Sequence, residues 1–391
     1  MNYILFDGKV RNALLPFTFT RPVADIRTGI LTIREKWEKH LKASGSTLTE
    51  AYLSGKYPLK KEKDNIWINA SFLPDAGLVK AVQNLPEAHV LFYKDEVIAY
   101  RSAEICKEED IKNYRAVIYK NPVLRIEQPW DIFAKNGEVL QSDFELITAG
   151  RESAPVPPGV NVLHPENIFI EAGARLHYCT INAANGPVYI GKNAEIMEGS
   201  LIRGGFALCE GATVKLGAKI YGPTTIGPYS KAGGEINNSV LFGYSNKGHE
   251  GFLGNSVIGE WCNLGADTNT SNLKNNYEPV RVWSYETEGF VRTDLQFCGL
   301  LMGDHSKCGI NTMFNTGTVV GVSANIYGSG FPRNFIPDFS WGGAGGFKTY
   351  LPKKAFETAK IVMARRKVEF TGAEAAILEQ VFELTRKWRR G

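Results

Sequence analysis

Aliphatic residues return at every sixth position through much of the second half of the chain. Ile190, Ile196, Ile202, Leu208, Val214, Ile220, Ile226 and Ala232 share one register, and Gly191 and Gly227 directly follow two of them. The count resumes at Phe252, Ile258 and Leu264, and again at Met302, Cys308, Phe314, Val320 and Ile326. A helix repeats its buried face every 3.6 residues and a strand every second residue, so neither explains a period of six. A hexapeptide repeat does. Each unit makes one short strand and one turn, three units close a triangular coil, and the aliphatic side chain points inward onto its neighbours above and below. Eight consecutive positions in register make the pattern specific, and it predicts a parallel β-helix.

Two stretches interrupt the count. Residues 233–251 include most of YSNKGHEGFLGN (244–255), and residues 266–300 are polar. Insertions in a solenoid project from one face, which is often the binding face. The spacing therefore predicts that the chain leaves the coil near 244–255 and presents His249 there.

The first 150 residues carry a different pattern. NYILF, NIWINASFL, HVLFY and AVIY read as short strands, and Ile33, Trp37 and Leu41 share one face of a helix. Such alternation suits an α/β sheet. VPPG at 156–159 reads as a linker. The tail from 351 reads as two helices split at Thr371–Gly372, with Ile377, Val381 and Leu384 on one face of the second. The expected domains are thus an α/β domain at 1–150, a β-helix at 151–350 and a helical tail at 351–391.

Composition narrows the function. The chain has 391 residues, 43% hydrophobic and 22% charged, as expected of a globular protein with more than one core. A net charge of +4 does not argue for nucleic acid. Basic residues cluster at 365–367 and 386–390, where solvated helix faces are the simpler account. No apolar run approaches the ~20 residues of a membrane helix, and the N-terminus lacks the pattern of a signal peptide. The six cysteines form no CxxC pair, so a reduced cytoplasmic setting is expected, without a disulfide framework or zinc. His177, His249 and His305 lie 72 and 56 positions apart, unlike the zinc ligands of the β-helical carbonic anhydrases.

The segment SNKGHEGFLGNSVIGEWCNLGADTNTSNLKNN resembles the acetyltransferase domain of the bifunctional UDP-N-acetylglucosamine pyrophosphorylase / glucosamine-1-phosphate N-acetyltransferase family. GLLMGDHSKCGIN resembles a later coil of that domain. LLPFTFTRPVADIRTGILTIREKWE is similar to an alternate, Bacteroidetes-type form of the enzyme. The resemblance implies an α/β nucleotidyltransferase-like domain followed by a left-handed parallel β-helix and C-terminal helices, assembled as a homotrimer without nucleic-acid or membrane partners. It implies acetyl transfer from acetyl-CoA to glucosamine-1-phosphate, then uridylyl transfer from UTP with Mg²⁺, giving UDP-N-acetylglucosamine.

Residue by residue, the resemblance makes His249 the base, a task suited to a neutral imidazole near pH 7. Asn263 and Ala266 match positions that hold acetyl-CoA or the acetyl group. Asn272 matches a sugar contact, Glu235 an acidic neighbour of the base, and Lys231 or Lys247 a contact to the sugar phosphate. Phe252 and Leu273 depart from the family, where Tyr is usual. In the first domain Arg11, Arg21 and Arg27 are the candidates for nucleotide phosphates, and Asp7 and Asp25 for the metal. The usual G-x-G-T-R run is missing, and Ala70 and Ser71 stand where the family has Gly-Asp. Two alternatives remain open. One is a sugar-1-phosphate nucleotidyltransferase or acetyltransferase of other specificity with one domain inactive. The other is a non-catalytic trimeric β-helix scaffold, for which His249 has no task.

Overall fold

The six-residue spacing becomes a left-handed parallel β-helix of about ten turns. Its strands form three ladders of six, nine and ten strands, and the inward residues stack along each. One column runs Ile181, Ile202, Ile220, Ile236, Leu253. The second runs from Ile190 through Leu208, Ile226, Leu241, Ile258 and Met302 to Val320 and Ile336. These side chains are essentially shielded from water. Each contributes roughly 1.5–3 kcal/mol over its exposed state. Parallel pairing satisfies the backbone from coil to coil.

The structure, a computed structural model, describes residues 1–106 and 108–389. Contacts divide it into two units. The first comprises Met1–Leu14, Thr20–Ile26 and Leu31–Gln128; the second comprises Leu15–Phe19, Arg27–Ile30 and the chain from Pro129 onward.

One prediction is corrected within the solenoid. The chain does not leave the coil at 233–251. After Ala232 the inward residues are Ile236, Leu241, Lys247, Leu253 and Ile258, so the count shortens to four or five at some corners and then recovers. Leu253, not the half-buried Phe252, points inward. The third column therefore reads Leu176, Ile196, Val214, Ala232, Lys247, Leu264, Cys308, Ile326, with a lysine among aliphatics. The second interruption does leave the ladders, as an antiparallel hairpin of Arg281–Ser284 and Gly289–Arg292. Trp283 of this hairpin stacks on Phe335 at 4.2 Å, and the Tyr285 hydroxyl donates to Asp338 at 2.8 Å.

The tail folds back on the solenoid as helices Pro352–Ala364 and Gly372–Leu384. Ala355, Ala359 and Met363, spaced by four, form the buried face of the first. The second starts at a capping box between Thr371 and Glu374. It buries Ile377, Leu378 and Val381, whereas Leu384 is exposed. Arg390, part of the second basic cluster, lies outside the described residues. Among the described residues no helix is long and apolar enough to cross a membrane.

The first unit is a six-stranded mixed sheet in the order Gly45–Leu48, Asn2–Phe6, Asn65–Asn69, Glu96–Arg101, His89–Tyr93, Arg115–Ile118. Helix Ile33–Leu41 begins at a capping box of Thr32 and Glu35 and buries Ile33, Trp37 and Leu41. Helix Asn136–Thr148 groups with the solenoid instead, because buried Asn136 donates to the Pro223 carbonyl at 2.8 Å and accepts from Gly29 N.

Candidate functional site

Successive coils bring distant residues to one surface by stacking them at the same point of the triangle. Around the third column this makes a cleft of about 860 Å³. His249, Asn263, Ala266 and Lys231 line it. Its floor is strand Asn263–Leu264 and the turn after it, and Trp261 and Ile310 add apolar surface. Trp261 belongs to a stack of corner side chains. It lies 4.2 Å from Tyr244 and 6.4 Å from His305, with nearly parallel rings. The far wall is the first tail helix and the residues that follow it, which contribute Thr358, Val362, Arg365 and Arg366.

Five cations face this cleft: Lys215, Lys231, Lys307, Arg365 and Arg366. No carboxylate lines it among the described residues. Partial burial, then the charges of Arg366, Lys215 and Arg365, holds the Lys231 ammonium below its ordinary pKa; Glu195 opposes this least of all. Burial and Arg365 likewise lower Arg366, whose Nη2 donates to Asn246 Oδ1 at 2.9 Å. Like charges crowd together here and, among the described residues, none is ion-paired with a carboxylate, which favours an anionic ligand with several negative charges.

His249 is exposed and follows Gly248 in a turn between strands Asn246–Lys247 and Phe252–Gly254. Among the described residues its imidazole makes no hydrogen bond or ion pair. The turn rests on two glycines of the coil below. A Cβ on Gly234, whose φ is +69°, would stand 2.7 Å from the His249 carbonyl, and one on Gly233 would stand 2.5 Å from the Gly248 carbonyl. Only glycine allows so close an approach.

Three other candidates lie outside the cleft. Lys247 is corrected most sharply. It is only 2% exposed, points into the coil and donates to the His249 carbonyl at 2.6 Å and the Glu250 carbonyl at 3.2 Å. An inward side chain of this kind does not reach a sugar phosphate. Glu235 accepts from the Tyr221 hydroxyl at 2.5 Å, and the Asn272 amide donates to Asn255 Oδ1 at 2.8 Å, both on another face of the coil.

In the first unit, the candidates after the first strand are buried, or half-buried in the case of Asp25, and held by the protein. Asp7 Oδ1 accepts from Val23 N at 2.7 Å and Oδ2 from Thr49 Oγ1 at 2.5 Å, with Arg11 Nε 3.3 Å away. Burial pushes the Asp7 carboxyl up to about 6, against the opposing pull of these donors. Asp25 uses both oxygens on Arg34, at 2.9 and 2.7 Å. Arg11 donates to the Tyr52 hydroxyl at 2.8 Å, and Arg21 is 3% exposed. Arg27 belongs to the second unit, where its guanidinium holds the carbonyls of Phe242 at 3.0 Å and of Ile30. The nucleotide reading of these arginines and the metal reading of Asp7 and Asp25 are corrected accordingly. Asp7, Asp25, Arg11 and Arg27 are engaged by protein groups, Arg21 is buried, and a hard cation needs carboxylate oxygens that are open to it. Among the described residues no three His, Cys, Asp or Glu are arranged to hold a metal ion. The donors present therefore do not fit a preformed Mg²⁺ site.

Trp261, Lys215, Lys307 and Ile310 were not singled out from sequence. Lys215 follows Thr213, the residue one coil before Lys231, by two positions, a relation visible only once the coil register is known.

Comparison with known proteins adds the following. Residues 3–152 match the family model described as sugar nucleotidyl transferase. The chain is 35% identical over 92 residues to the bifunctional protein GlmU of Methanococcus aeolicus, covering 24% of this chain and 22% of that protein. It is 28% identical over 211 residues to the bifunctional protein GlmU of Methanococcus vannielii, covering 51% and 42%. The matches thus span less than half the length of these relatives. A solved UDP-N-acetylglucosamine acyltransferase from Francisella novicida aligns with 59% of this chain and 88% of its own, at 12% identity and a TM-score of 0.29.

Proposed function

We propose that the β-helix transfers an acetyl group from acetyl-CoA to the amine of glucosamine-1-phosphate, with His249 as general base, in sugar-nucleotide biosynthesis. The observation that carries this reading is the single cleft in which His249, Asn263 and Ala266 face five cations. CoA and the sugar phosphate are both polyanions, and the apolar surface of Trp261, Ile310 and Val362 suits a pantetheine arm. The chemistry follows directly. The amine nitrogen attacks the thioester carbonyl while His249 takes the proton that the nitrogen must lose. The carbon–sulfur bond then breaks, the thiolate leaves, and that proton returns to it as CoA thiol. Asn263 and Ala266 lie on the next coil, where they would contact the acetyl group. Assembly as a homotrimer belongs to the same proposal.

His249→Ala tests it. Thiol release with glucosamine-1-phosphate and acetyl-CoA should fall about 10²- to 10⁴-fold. The unfolding free energy should move by less than roughly 0.5 kcal/mol, as for other exposed turns. A variant that keeps more than a third of wild-type turnover, with chemistry rate-limiting, would show that His249 is not the base and would favour the scaffold.

For the first unit the similarity over residues 3–152 supports uridylyl transfer from UTP, giving UDP-N-acetylglucosamine. A specific observation favours the second reading, in which this unit is inactive or acts on another nucleotide: Asp7, Asp25, Arg11 and Arg27 are all engaged by protein groups. Pyrophosphate release, followed separately from thiol release, distinguishes the two.

A further inference from the structure

We infer that Lys247 is a positioning residue that sets the His249 turn from inside the coil. The inference rests on the reading of His249 given above. Lys247 occupies an inward position between Ala232 and Leu264 in a column that is otherwise apolar. A charged ammonium is a costly tenant there unless it is fully hydrogen-bonded. The nearest compensation comes from the turn that the lysine itself precedes. Its ammonium accordingly binds the carbonyls of His249 and Glu250. Gly233 and Gly234 support the same turn from the coil below, and Gly251 lies against the Thr268 backbone of the coil above. The turn is thus gripped from below, above and within, while the imidazole reaches outward into the cleft. Small Ala232 beside the lysine leaves room for the polar head.

Electrostatics agree with this geometry. Burial depresses the Lys247 ammonium to about 8; Glu250, Asp267 and Cys308 pull it back up, and Lys219 pushes it further down. A residue placed only for stability would not be one whose ionised form the fold disfavours. Because its folded pKa lies below the unfolded one, the stability the protein forgoes here is greatest below about pH 8 and is recovered as pH rises toward the unfolded value.

The test is Lys247→Met, which keeps the length and returns the column to apolar. We expect a folded protein with an unfolding midpoint equal to or above that of the wild type. We expect kcat for acetyl transfer to drop at least 10-fold with little change in KM for acetyl-CoA. The His249 ring resonances, assigned by difference from His249→Ala, should shift. Lys247→Gln, whose amide still donates two hydrogens, should restore part of kcat. Wild-type kcat in Lys247→Met, with an unmoved His249 signal, would overturn the inference. So would a loss of kcat in Lys247→Met that tracks its loss of stability and that Lys247→Gln does not relieve. If His249→Ala were itself fully active, the acetyl-transfer reading would fall. The His249 resonances in Lys247→Met would then still decide whether the lysine sets the turn.

Discussion

The loop after the first strand and the coil around His249 both gather charged residues, and they dispose of that charge in opposite ways. In the loop, Asp7 and Arg11 lie 3.3 Å apart and Asp25 takes both of its hydrogen bonds from Arg34. Charge there is matched, buried and spent on holding irregular backbone. In the coil, Lys247 turns inward, and Lys215, Lys231, Lys307, Arg365 and Arg366 gather on one cleft that no carboxylate lines among the described residues. A β-helix satisfies most of its N–H and C=O groups between neighbouring coils, so its outward side chains have little backbone left to serve. Lys307 still donates to the His305 carbonyl at 2.9 Å, but none of the five cations is spent on a carboxylate among the described residues. An irregular loop has unpaired backbone groups, and its polar side chains are drawn into satisfying them. Charged residues in a sequence are therefore stronger site candidates on a repeat than in a loop.

The largest expected effect tests the cations of the cleft. Reversing Arg365 and Arg366 together to Glu should lower kcat/KM for acetyl-CoA by about 10² or more, since hydrogen bonds to charged groups contribute roughly 1.5–3 kcal/mol each. The loss should fall mainly in KM and shrink at high salt. An unchanged KM would mean that the cleft's charge serves no anion.

The second tests the opposite case. Arg27→Met should destabilise the second unit by roughly 2–3 kcal/mol, because two carbonyls lose their donor. Nucleotide affinity should stay the same. A variant that keeps full thermal stability but loses UTP binding would restore Arg27 as a phosphate ligand.

The smallest effect is a pH dependence. Asp7 has a folded pKa near 6 against 3.8 as the ordinary value, so the folded state binds the extra proton between these values. Its contribution is favourable at low pH and is lost as pH rises through about 6. Asp7→Asn removes this titration. The wild-type stability minus that of the variant should decline by on the order of 2 kcal/mol from pH 4 to 7. Chemical denaturation at several pH values would show it, and a flat or rising difference would mean that the carboxylate is ionised throughout.

Much of this molecule was legible before any coordinates. The inward aliphatics from Ile190 to Ala232 follow from spacing alone, since only one geometry repeats every six residues. Helix Ile33–Leu41 shows itself by the face it buries. The short strands Gly45–Leu48 and Glu96–Arg101 did not, because four to six residues of mixed polarity carry no period of their own. The stretch 233–251 looked like a departure from the coil because corner lengths vary there. A count that requires strict sixes cannot follow corners of four or five residues.

The site divides in the same way. His249, Asn263 and Ala266 belong to one local motif, and local sequence is enough to relate positions on neighbouring coils. That Lys231 shares their cleft while Lys247 does not depends on which way each strand faces, and a shift of one residue reverses the answer. That Arg365 and Arg366 face His249 depends on how the tail docks, through Ala355, Ala359 and Met363. By itself, then, the sequence determined the coil, its apolar columns and the motif that carries the imidazole, because these follow from periodicity and near neighbours. The tertiary structure decided which charges are buried in pairs and which are left facing the cleft, because burial is a property of packing between segments far apart in the chain.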